Sequence, residues 1–114
     1  MRVITGTARG RVLKTLEGED VRPTTDRVKE AIFSIIQFEL EGRRVLDLFA
    51  GSGQLGIEAL SRGAAYATFT DMSAESVDIV KKNLISTKLE NRAEVIRTEA
   101  ITFLKGNRKK YDIV

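Results

Sequence analysis

The sequence predicts an α/β fold, a doubly wound parallel sheet preceded by a β-hairpin and one helix. Three observations predict it. From Arg43 onward, short apolar runs alternate with amphipathic stretches in three successive strand–helix units, which is the grammar of parallel strands joined by right-handed crossovers. Residues 45–49 form a nearly continuous apolar run, as expected of a strand covered on both faces. Gly63 follows a helical stretch where a left-handed C-terminal residue is wanted.

The elements follow in order. Residues 2–5 and 10–14 are β-prone runs separated by Gly6, Thr7, Ala8 and Arg9, a hairpin pattern. Arg22-Pro23-Thr24-Thr25-Asp26 then opens a helix, with Thr24 or Thr25 available as its cap. Val28, Ala31, Ile32, Ile35 and Ile36 recur at helical spacing and predict the buried face, and Gly42 closes the helix. After the strand at 45–49 comes a helix over 54–62. A second strand covers 66–70 and leads into Asp71. Ser73 is placed to cap a helix with an inner stripe of Val77, Val80 and Leu84. Residues 93–97 read as a third strand, 100–105 as a short helix, and 111–114 as the start of a fourth strand. A chain stopping inside such a strand reads as the N-terminal portion of a longer protein.

Composition removes several chemistries. The 114 residues contain no Cys, no His and no Trp, so disulfide scaffolds, thiol nucleophiles, the usual zinc sites and a Ser-His-Asp triad are all excluded, and no metal site is expected. The first ten residues lack the apolar centre of a signal peptide, and no run approaches the roughly 20 apolar residues of a membrane span. A soluble cytoplasmic chain without a membrane partner is expected. The net charge of +3 is unevenly spread. Arg2, Arg9, Arg11 and Lys14 stand in the first 16 residues without an acid, whereas residues 45–104 carry six bases and eight acids. Basic ends around an acidic middle suit a polyanion held beside a pocket for a partly cationic ligand.

The chemistry sits in Gly51-Ser52-Gly53-Gln54-Leu55-Gly56, a G-x-G-x-x-G turn between strand and helix. Glycines there let the backbone turn sharply and a ligand approach it closely. The pattern alone fits both dinucleotides and S-adenosylmethionine. Asp47, four residues before Gly51, separates them: a carboxylate beside a pyrophosphate is unhelpful, whereas it favours an ammonium and a sulfonium. Asp71, at the end of the next strand, suits two ribose hydroxyls and fits either ligand. Glu99 either reaches toward an adenine amine or is a first-turn glutamate favoured by the helix dipole.

The run Val45-Leu46-Asp47-Leu48-Phe49-Ala50-Gly51-Ser52-Gly53, followed by Gly56 and Glu58-Ala59-Leu60-Ser61-Arg62-Gly63-Ala64, resembles the signature of class I methyltransferases, whose sheet is Rossmann-like. Arg22-Pro23-Thr24-Thr25-Asp26-Arg27 and the opening Met1-Arg2-Val3-Ile4-Thr5-Gly6 narrow the resemblance to the RsmD-type family. These enzymes methylate a guanine exocyclic amine in small-subunit ribosomal RNA. The resemblance implies that Asp47 and Gly51 line the methionine part of S-adenosylmethionine, and that Phe49, Ala50, Ser52, Gly53 and Gly56 belong to the same cofactor-binding site. It further implies that Asp71 holds the ribose, and that Glu99 and Ala100 flank the adenine, although the family usually has Asp where Glu99 stands. Arg22, Thr24 and Thr25 match a segment that packs over the cofactor, with Arg22 meeting its carboxylate. Arg2, Arg9, Arg11 and Lys14 fall in the hairpin that touches RNA, as naked rRNA or as a small-subunit ribonucleoprotein. Residues 1–41 are then the RNA-contacting and lid segment, and residues 42–114 the donor-binding half. The family's catalytic Asn- or Asp-Pro-Pro-Tyr loop has no counterpart here, so no catalytic residue is assigned. A non-catalytic RNA- or adenosine-binding module and a nicotinamide-dependent oxidoreductase stand as alternatives.

Overall fold

A computed structural model of the chain describes residues 2–15, 23–36, 39–106 and 111–114, with the backbone alone over 23–26. Helix α1 spans Pro23–Ile36, strand β1 Arg44–Asp47, helix α2 Gln54–Ser61 and strand β2 Tyr66–Asp71. Helix α3 covers Ala74–Ser86, strand β3 Ala93–Arg97 and helix α4 Ala100–Gly106. A single 3₁₀ turn, Glu90–Arg92, leads into β3. No helix among the described residues is long and apolar enough to cross a membrane.

The three strands are parallel in the order β1-β2-β3. On the free side of β1, Ile113 forms a parallel bridge to Val45, and its carbonyl accepts from Leu46 N–H at 2.8 Å. The chain therefore steps outward from β1 to β3 and then returns across β1, which is the doubly wound arrangement. Its crevice lies beyond the carboxyl end of β1, where strand order reverses. The expected fourth strand is present as this one bridge.

Register fixes which face each side chain takes. Asp47 is paired with Phe69 and Leu46 with Thr68, and parallel partners share a face. The Phe69 ring packs where a Cβ on Gly56 of α2 would stand, so Asp47 points to the α2 face. The opposite face holds buried Leu46 and Thr68, with the Tyr111 hydroxyl 2.9 Å from Thr68 Oγ1. Ser73 caps α3 by accepting from Ser76 N–H, and Val77, Val80 and Leu84 form its buried stripe, as the periodicity predicts. Gly63 takes the expected left-handed conformation, with φ +110°.

Three local expectations are corrected. β1 stops at Asp47, not at residue 49: Thr70 Oγ1 donates to the Leu48 carbonyl at 2.6 Å, the chain turns, and Phe49 is left 81% exposed. Helix α1 begins with Pro23, whose fixed φ and missing N–H suit the first helical position, so Thr24 and Thr25 lie inside the first turn instead of capping it. Gly42, with φ +75°, belongs to the turn before β1 and does not close α1. The buried face of α1 agrees with the predicted one only at Ile36. Val28, Ile32 and Ile35 are exposed, and the inward stripe is Lys29, Phe33 and half-buried Ile36. One residue is about 100° of rotation, and this rotation is set by polar partners: Lys29 Nζ lies 3.2 Å from Glu58 of α2, and the Arg62 guanidinium stacks 4.9 Å from the Phe33 ring centre.

Candidate functional site

The glycine turn closes directly above β1. Gly53 N–H donates to Ala50 O at 2.7 Å, Ala50 N–H donates to Thr70 O at 3.0 Å, and Gly53 serves as the left-handed N-cap of α2 with φ 82°. The three glycines differ in what surrounds them. A Cβ on Gly53 would press on the Val80 methyls at 3.2 Å, and one on Gly56 would overlap the Phe69 ring. A Cβ on Gly51, where φ is +57°, would meet nothing within 4 Å. Gly56 is therefore a helix-to-sheet packing residue, whereas Gly51 borders open space that a ligand can enter. Ala50 and Ser52 are buried beneath it.

Two carboxylates face this turn. Asp47 Oδ2 accepts from Gly56 N–H at 3.2 Å. Burial pushes the Asp47 carboxyl up to about 6, the Gly56 hydrogen bond opposes this, and the nearby Asp71 charge adds to it. A carboxyl so placed is short of positive charge. Asp71 accepts Gly51 N–H on Oδ2 at 3.0 Å and Ser73 N–H on Oδ1 at 2.9 Å. These bonds fix the carboxylate's plane and leave each oxygen a further lone pair. Thr98 N–H donates to the Asp71 carbonyl, and Arg97 Nε to the Met72 carbonyl at 3.0 Å, so the ends of β2 and β3 are tied together. Met72 itself is 62% exposed beside Asp71, an apolar side chain that sequence reasoning had passed over. Glu99 is exposed and Ala100 half-buried at the start of α4. Arg22 lies outside the described residues, as do the side chains of Thr24 and Thr25. The backbone of the latter pair is in the first turn of α1.

The basic residues lie on a separate, ordered arm. Val3, Ala8 and Leu13 sink into the core, while Arg2, Arg9, Arg11 and Lys14 are exposed. Val3 N–H donates to Arg11 O and Gly10 N–H to Val3 O, with a bridge between Arg2 and Val12, so the hairpin is made of a few bonds rather than two full strands. Its anchorage was missed in the sequence. Glu58, fully buried, accepts Ile4 N–H at 2.8 Å, Thr5 N–H at 3.1 Å and Arg62 Nε at 2.9 Å, and pairs with buried Lys29. Burial would raise its carboxyl, but these donors and the Lys29 charge outweigh burial and hold it below the ordinary range. Ser61 Oγ accepts Ala8 N–H and donates to Thr5 O. Asn83 holds Lys14 from α3. The available signals were a Glu58–Arg62 pair at i, i+4 on a helix of otherwise small and apolar residues, and an asparagine on the apolar stripe of α3.

The comparisons with known proteins agree with this architecture. The ribosomal RNA small subunit methyltransferase D of Haemophilus influenzae is 43% identical over 117 residues, covering 100% of this chain and 61% of that protein. A solved Escherichia coli chain, 43% identical, superposes with a TM-score of 0.82 over 91% of this chain and 56% of its own. A SAM-dependent methyltransferase from Agrobacterium tumefaciens shares the fold at a TM-score of 0.68 and 24% identity, over 82% of this chain and 31% of its own. The chain spans about three-fifths of the length of the curated relatives it matches. The family model described as Conserved hypothetical protein 95 matches residues 1–114, and the chain belongs to that family.

Proposed function

We propose that the chain forms the donor-binding part of an enzyme that transfers a methyl group from S-adenosylmethionine to the exocyclic amine of a guanine in small-subunit ribosomal RNA. The observation that carries this reading is Asp47, a carboxyl pushed up to about 6 beside an open glycine turn. Such a group repels a pyrophosphate and gains from a cation, which separates a sulfonium donor from a dinucleotide. The names of the relatives support the same reaction class and an rRNA substrate.

The residues divide the work. Gly51 leaves room for the methionine part against the backbone, and Asp47 supplies the negative charge opposite its ammonium. Asp71, already oriented by Gly51 and Ser73 N–H groups, accepts from the ribose hydroxyls, and Met72, Glu99 and Ala100 border the adenine. Arg22, Thr24 and Thr25 are assigned to the cofactor by the family resemblance. S-adenosylmethionine supplies, when bound, a methyl group activated by a positively charged sulfur. The protein's share is alignment and electrostatics, and the residues named here serve the donor side. Arg2, Arg9, Arg11 and Lys14 supply phosphate affinity. Calorimetric titration with S-adenosylmethionine tests the assignment. Affinity should rise as pH passes upward through about 6, where Asp47 ionises, and Asp71→Ala should abolish measurable binding. Undiminished binding by Asp71→Ala would sink the reading.

A further inference from the structure

One buried side chain touches both the basic arm and the glycine turn. Asn83, 1% exposed in α3, accepts the Lys14 N–H on Oδ1 at 2.7 Å. Its Nδ2 donates to the Lys14 carbonyl at 2.9 Å and to the Ser52 carbonyl at 2.9 Å. An amide is planar, so its acceptor and two donors move as one unit. Lys14 is thus read through both of its main-chain groups, as a neighbouring strand would read it, and the remaining N–H is aimed at the turn. Ser52 stands between Gly51, which borders the open space, and Gly53, which caps α2. A displacement of the arm at Lys14 would turn the amide plane and disturb its bond to the Ser52 carbonyl. The other arm anchors, Lys29, Glu58 and Ser61, bond to main-chain groups within residues 2–8 and not to the turn.

We propose that Asn83 is a positioning residue that couples the two sites, so that RNA on the arm and S-adenosylmethionine at the turn each strengthen binding of the other. The inference rests on the functional reading above. Phosphates on Lys14 and Arg11 hold the arm in its anchored position, and the arm so held keeps the turn in its ligand-ready conformation through Asn83. The coupling is reciprocal by thermodynamic necessity.

The test is calorimetric titration of the chain with S-adenosylmethionine, with and without a saturating short RNA hairpin, followed by the converse titration. The wild type should show the same factor in both directions, about fivefold or more. Asn83→Asp keeps the acceptor for Lys14 N–H and removes both donors; it should bind each ligand with the factor reduced to about one. Val77→Ala, on the same helix and buried, should lower stability and keep the wild-type factor. A wild-type measurement stands beside these: exchange of the Lys14 amide hydrogen should slow when S-adenosylmethionine alone is added. A unit factor in the wild type, a wild-type factor in Asn83→Asp, loss of the factor in Val77→Ala, or an unchanged Lys14 amide would each overturn the coupling while leaving the donor site standing. Absence of donor binding by the wild type would overturn both.

Discussion

Replacing Asp47 by Asn should make the ligand-free protein more stable and the donor site nearly useless. The Asp47 carboxyl stands at about 6 in the fold against 3.8 for the free group. That difference of about two units corresponds to about 3 kcal/mol of unfavourable ionisation at neutral pH. An amide of the same shape keeps an oxygen for Gly56 N–H and abolishes the charge. It also brings an N–H₂ group into a half-buried position, and leaving that group short of a partner costs about 1 kcal/mol. The expected net gain is about 2 kcal/mol. With a urea slope of about 1.5 kcal/mol/M, the unfolding midpoint should rise by about 1.3 M.

The sign of the pH dependence makes this a sharp test. The folded-state value is raised, so between about 4 and 6 the folded chain binds a proton that the unfolded chain has released. Lowering the pH through that window therefore relieves the wild type of its penalty. Urea unfolding at pH 7.5 should separate the two proteins fully, and at pH 4 the gap should nearly close. Affinity for S-adenosylmethionine should meanwhile fall about 10- to 100-fold at pH 7.5, the size expected for losing a charged hydrogen-bonding partner. A variant less stable than the wild type at pH 7.5, or one whose advantage is the same at both pH values, would refute the reasoning. Such a trade of stability against binding is what a destabilised functional group should show.

The packing and the arm give four further outcomes. Glu58→Ala strands Lys29 and Arg62 in the interior and leaves the Ile4 and Thr5 N–H groups without their acceptor, so it should cost about 3–5 kcal/mol by chemical denaturation. Because the Glu58 carboxyl is held below its ordinary value of 4.5, its contribution is complete above pH 4.5 and is lost as pH falls through the lower folded-state value; Glu58→Gln should flatten that acid limb. Gly56→Ala places a methyl inside the Phe69 ring and should cost about 1–3 kcal/mol by the same assay. The double replacement Arg9→Gln with Arg11→Gln should weaken RNA binding in filter assays and reduce its salt slope by about 2, with donor affinity measured without RNA unchanged.

The strand–helix alternation and the glycine turn were legible because each depends on a local code. Val77, Val80 and Leu84 needed only period 3.6, Ser73 only its neighbour at Ser76, and Gly63 only its own φ. Asp47 and Asp71 were legible for a related reason: the strand ends that carry them are fixed by the same pattern, and both carboxylates do face the turn. Helix α1 was misread because its orientation depends on a partner. Its apolar residues form a convincing stripe, but a buried Lys29 meeting Glu58 and an Arg62–Phe33 stack turn the helix by one residue. No one-dimensional pattern values a lysine as a core residue, since its burial is tolerable only with a carboxylate far along the chain.

The same limit explains why the arm and the donor site read as two independent features. In sequence, Lys14 and Ser52 are separate motifs, one basic and one glycine-flanked, and Asn83 is a polar interruption of an apolar stripe. In space the asparagine spends its acceptor and both donors on those two segments, and an apolar residue of similar size would leave a backbone N–H and two carbonyls unpaired in the interior. The interruption in the stripe is therefore where the fold records that the two motifs meet. A polar residue at a predicted core position of a crossover helix is best read as an address for some other segment's main chain, and here the two addresses are a basic arm and the turn proposed to hold the methyl donor.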